Sequence, residues 1–127
     1  ERRTLPGETV AAVETELEAL LERCRAADPA LVAARRTLMA REPFEVAGDE
    51  AVVTAVREAA AGVLGAPPRT GGASYWADAA FIAAAGIPTV MFGPGGEGAH
   101  ADVEWVSIED TLAVARTLVA TARRVCA

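Results

Sequence analysis

Proline and glycine partition this chain before any other signal does. Pro6-Gly7, Asp28-Pro29, Pro43, Gly65 with Pro67-Pro68, Gly86 with Pro88, and the run Gly93-Pro94-Gly95-Gly96 interrupt it from end to end. Proline donates no backbone hydrogen bond and pushes the residue before it out of the α region, so regular elements end at these marks. The chain must therefore be assembled from short elements. No apolar run between the marks approaches the roughly 18–20 residues of a membrane span.

Within each segment the apolar spacing names the element. Val10, Val13, Leu17, Leu20, Leu21 and Cys24 recur every three or four residues, opposite Glu14, Glu18, Glu22 and Arg25. That is an amphipathic helix over about 9–26. Residues 31–39 alternate weakly and read as a strand, and 41–48 form a connector. Asp49 can cap a helix over about 50–64, whose inward stripe is Val52, Val53, Val56, Ala60, Val63 and Leu64. A Gly-rich connector over 69–75 leads to a short helix over about 77–85. Pro88-Thr89-Val90-Met91-Phe92 reads as a buried, parallel strand. Gly93 to Val106 is a long loop. Ser107-x-x-Asp110 resembles a capping box and opens a last helix over about 108–125. Its apolar positions Ile108, Leu112, Ala115, Leu118, Val119, Ala122 and Val125 are expected to face inward. The order implies an α/β fold. The 41–48 connector is the candidate domain boundary.

Composition limits the partners. Hydrophobic residues are 52% and charged residues 24%, enough apolar material for a packed core in one small domain or part of a larger one. The formal net charge is -6, and all 12 basic residues are arginine. An acidic chain with no basic cluster beyond pairs argues against nucleic acid as its main partner, and the lack of an apolar span argues against the membrane. Cys24 and Cys126 are too few for a disulfide framework and read as free thiols of the cytoplasm. No apolar run follows Glu1-Arg2-Arg3, so no signal peptide is read there. The chain opens at Glu1 rather than at methionine, and residues 1–8 read as the tail of a strand entering a turn. Both features suggest a piece of a longer protein.

The stretch Phe92 to Trp105 (FGPGGEGAHADVEW) carries the most chemistry. It follows an expected core strand, and sites in α/β sheets gather at the carboxyl ends of strands. It holds the only histidine, His100. Imidazole is a common metal ligand, oriented by an acceptor on its second nitrogen, and Asp102 and Glu104 are close enough in sequence to serve. Gly93-x-Gly95-x-x-Gly98 formally matches a dinucleotide fingerprint. However, no helix begins directly after it, so a turn that brings backbone close to a ligand or another chain is the simpler reading. Asp78 opens the 77–85 helix, where an acid suits the helix dipole. Tyr75 and Trp76 either pack in a core or line a pocket. Most arginines of the first third read as solvated or as members of exposed ion pairs.

Two segments, Arg2 to Glu8 (RRTLPGE) and Tyr75 to Val106 (YWADAAFIAAAGIPTVMFGPGGEGAHADVEWV), resemble the M20 metallopeptidases. That family includes acetylornithine deacetylase, succinyl-diaminopimelate desuccinylase, aminoacylase and carboxypeptidase G2-like enzymes. The resemblance implies a partial lid, or dimerisation, domain over 1–45, followed by the C-terminal part of a zinc-peptidase-like catalytic α/β domain over 46–127. It implies hydrolysis of an amide bond in an N-acyl amino acid or small peptide, two Zn²⁺ ions (or other divalent metals) per complete site, and a homodimer. It makes His100 a metal ligand, which Glu104, four positions on, is close enough in sequence to orient. Gly93, Gly95, Gly96 and Asp78 would lie on the substrate side. Arg41 or Arg36 would hold the substrate carboxylate. The family's His-x-Asp, its bridging Asp, the Glu-Glu pair that includes the general base, and the lid histidine have no counterpart here. This chain therefore carries no catalytic base and is expected to be inactive alone. A non-catalytic dimerisation or binding remnant of the same fold is the alternative. An unrelated nucleotide-binding domain is a third reading.

Overall fold

The computed structural model describes residues 1–126 and divides into two units, Glu1–Glu45 and Val46–Ala127.

The first unit is organised by one helix, α1 (Val10–Ala27). Pro6-Gly7 forms the expected turn, with the Glu8 amide donating to the Leu5 carbonyl at 3.0 Å. Thr9 caps α1, its hydroxyl accepting from the Ala12 amide. Val10, Val13, Leu17 and Leu21 are half-buried along one face. The segment after Pro29 is tied across the helix by polar contacts. Arg25 donates to the Ala33 carbonyl at 2.7 Å, and Arg35 pairs with Glu14 and Glu18 at 3.5 and 3.3 Å. Thr37 donates to Glu14. The strand expected over 31–39 is not formed, nor is the one expected in residues 1–8. Ladder hydrogen bonds come from a neighbouring strand, and among the described residues none lies beside either segment.

The second unit packs α2 (Ala51–Leu64) against α4 (Ile108–Val125). Val53, Val56, Ala59 and Ala60 of α2 are buried, so its inward stripe lies where the periodicity puts it. Asp49 does not cap this helix. Glu50 is the N-cap, without a side-chain bond, and Gly65 closes the helix at φ +77°. A left-handed residue there costs least as glycine.

The face that α4 turns inward is the opposite of the expected one. Thr117 is fully buried, and Asp110, Ala113, Val114, Ala120 and Thr121 are half-buried beside it. Ile108, Leu112, Leu118, Val119 and Val125 are exposed, Ile108 to 80%. Small side chains dock α4 on α2, and the larger apolar stripe faces away from it.

Between these helices lie α3 (Ala79–Ala84) and a two-stranded antiparallel hairpin, β1 (Gly96–Glu97) and β2 (Trp105–Val106). Trp76 meets Phe81 edge to face, ring centroids 4.8 Å apart. Residues 88–92 form no strand: Thr89, Val90 and Phe92 are half-buried, the others exposed. The chain is thus a mixed α and β fold whose one sheet among the described residues is the antiparallel hairpin, not a parallel sheet.

Candidate functional site

The Gly93 to Val106 segment, read as a loop from the sequence, is a hairpin built by its glycines. β1 and β2 pair Gly96 with Val106 and Glu97 with Trp105. A Cβ at Gly96 would stand 2.2 Å from the Trp105 carbonyl oxygen, and one at Gly98 1.9 Å from that of Val103. Both distances are prohibitive, so these two glycines are required by backbone approaching backbone. Gly98 also holds φ +75°. The close approach expected of the glycine run is therefore made within the chain's own hairpin. A strand turn, rather than a helix N-terminus, follows it, which is not how a dinucleotide fingerprint meets a pyrophosphate.

His100 sits in the turn of this hairpin. The Ala101 amide donates to the Gly98 carbonyl at 2.8 Å, and His100 takes φ +66°. It is the one non-glycine residue with positive φ among the described residues. Left-handed backbone is uncommon outside glycine, though histidine enters it more readily than branched residues do. The side chain is exposed. Glu104 and Asp102 are exposed in the same hairpin, and neither makes a hydrogen bond or ion pair to His100.

The hairpin base is locked to the start of α4. The Ser107 hydroxyl accepts from the Asp110 amide at 3.1 Å, the forward half of a capping box. The reverse half is redirected. Asp110 accepts the Gly95 amide at 3.2 Å instead, while the Ser107 amide donates to the Gly95 carbonyl at 2.9 Å. Both polar groups of Gly95 are thus held by the first turn of α4. The sequence shows Asp110 only as the acid of a capping box, and nothing in its local spacing signals this second role, since Gly95 lies fifteen positions away.

The remaining candidates fall elsewhere. Gly93 is exposed, with open space where a Cβ would go. Asp78 is the exposed N-cap of α3, and its carbonyl receives the Phe81 and Ile82 amides. Arg41 lies in the first unit and donates to the Ala40 carbonyl at 2.9 Å. Among the described residues no three His, Cys, Asp or Glu side chains gather as a metal site. A hydrolytic zinc needs about three protein ligands and an open position. The described residues therefore do not by themselves fit a metal ion, and the hairpin offers one imidazole rather than a complete centre.

A family model, Peptidase family M20/M25/M40, matches residues 7–124. No curated protein and no solved structure matches the chain.

Proposed function

The chain belongs to the peptidase family M20/M25/M40, and from that premise we propose that it supplies part of the site of a hydrolase cleaving an amide bond in an N-acyl amino acid or small peptide. At the level of the family the activity is metal-dependent hydrolysis. The observation that carries the finer reading is His100, presented at the turn of a hairpin whose base is locked to α4. Such a tether limits the freedom that a ligand loses on binding. In this reading His100 contributes one metal-binding imidazole, zinc is the favoured ion, and the companion ligands and general base come from groups outside these 127 residues. Gly93, Gly95, Gly96 and Asp78 flank the substrate, Arg41 is the candidate for its carboxylate, and the chain works as a cytoplasmic homodimer.

The test is zinc content and turnover in the complete enzyme for three variants. His100→Ala should lose both. Glu104→Ala should fall between His100→Ala and the parent, since groups that orient a ligand are worth about 10–100-fold. Asp102→Ala should stay near the parent. Parent-like zinc and turnover in His100→Ala would end the metal assignment. A second reading, a non-catalytic dimerisation or binding remnant, draws on the lack of a three-ligand cluster among the described residues. Amide hydrolysis dependent on His100 in the complete protein would exclude it.

A further inference from the structure

We infer that Asp110 is a positioning residue for the His100 hairpin, holding through the Gly95 amide the arm that is not continuous with α4. One arm needs no such device: β2 runs through Ser107 directly into α4. The other arm, β1, arrives from the opposite side. Its ties are a ladder of two residue pairs, the Ser107 amide on the Gly95 carbonyl, and the Asp110 carboxylate on the Gly95 amide. Asp110 is itself fixed, because its amide is bound by the Ser107 hydroxyl and its backbone is the first turn of an 18-residue helix packed on α2.

The fit is steric as well as polar. A Cβ on Gly95 would lie 2.6 Å from Asp110 Oδ2, so the carboxylate occupies the space that glycine leaves empty. Gly95 and Asp110 thus form one fitting. A glycine lets the acid reach the amide, and the acid gives that glycine a single placement. An acid that turned back to its own helix in the usual capping box would leave the β1 arm held only by the short ladder and the Ser107 amide. The inference deepens the reading of His100 as a ligand and rests on it for its consequence, because the arm being held is the one that leads into the turn bearing His100.

Amide hydrogen exchange on the full chain, without metal, tests the clamp. Asp110→Ala should speed exchange of the Gly95 and Ser107 amides about tenfold, the scale of one lost hydrogen bond. The α2 amides should stay within about twofold, because the bond removed ties the hairpin to α4 and not to α2. Asp110→Asn keeps an acceptor oxygen and should restore the parent pattern. Gly95→Ala, which fills the carboxylate's space, should reproduce Asp110→Ala. Unchanged exchange at Gly95, equal acceleration throughout α2 and α4, or failure of Asn to rescue would each overturn the clamp. A second arm measures zinc affinity in the metal-loaded protein that carries this chain. Asp110→Ala should weaken zinc about tenfold and Asp110→Asn should not. If His100→Ala retains zinc, the reading of His100 as a ligand fails while the exchange result still decides the clamp. If His100→Ala loses zinc and Asp110→Ala binds it as the parent does, the positioning role fails and the ligand reading stands.

Discussion

Glu8 shows how much a single half-buried carboxylate organises when the turn before it is tight. Its Oε1 receives Arg2 at 2.6 Å, and its Oε2 receives the Leu5 amide at 2.6 Å, closing the Pro6-Gly7 turn from both sides. The Arg2 hydrogen bond first, and the Leu5 amide second, hold its pKa below the ordinary 4.5. A depressed carboxylate stabilises the folded form while ionised. The contribution is therefore fully present above about pH 4.5 and is lost as pH falls through the lower folded value. Carbon-detected titration should find Glu8 below 4.5 and moving back toward it in Arg2→Met. A Glu8 that titrates at or above the ordinary value would contradict the turn's geometry. At this scale the sequence was partly transparent. Proline and glycine announced the turn, and Ser107 announced its cap, because both act on immediate neighbours. The partner of Asp110 was hidden: Gly95 is fifteen positions away, and local spacing carries no information about that approach. Asp49, equally suited to capping by type, was displaced as N-cap by its neighbour Glu50.

At the scale of elements, α1, α2 and α4 were legible because a 3.6-residue apolar spacing is written within each segment, and α3 because an Ala-rich stretch is closed by Gly86. Residues 31–39 and 88–92 were misread for the converse reason. A strand is completed by its neighbour, and β-branched runs state only a willingness to pair. The inward face of α4 was misread differently. Amphipathicity identifies the apolar face, not the face that meets a given partner, and α2 receives the side bearing Thr117. That choice leaves the Thr117 hydroxyl fully buried with no hydrogen-bond partner among the described residues. A buried hydroxyl without a partner costs about 1–3 kcal/mol. Thr117→Val removes the hydroxyl at nearly constant shape and should raise stability by about 1 kcal/mol. Thr117→Ser keeps the hydroxyl and removes a methyl, so it should lower stability. Chemical denaturation of both variants checks the pair, and a destabilised Thr117→Val would mean that the hydroxyl is bonded in solution.

Across the whole molecule, the buried apolar residues are four, Val53, Val56, Ala59 and Ala60, among the described residues. All four belong to α2, while the large side chains of α4 and of residues 31–39 stay in solvent. So small a core offsets little of the entropy of ordering a chain this long. The 127-residue chain alone should melt broadly and self-associate at tens of micromolar, since exposed apolar stripes seek cover. A sharp cooperative melt with a monomeric mass by light scattering would contradict this. The α2 and α4 pairing also sets a timetable. During synthesis at about 5–20 residues per second, the 53 positions between Leu64 and Thr117 take roughly 3–10 seconds to add. For that interval the Val53 and Val56 face is finished while its counterpart has yet to be translated. Every ten residues inserted between the two helices would lengthen the wait by about 0.5–2 seconds. The length of the stretch carrying α3 and the hairpin thereby becomes a quantity the ribosome and its chaperones must work against.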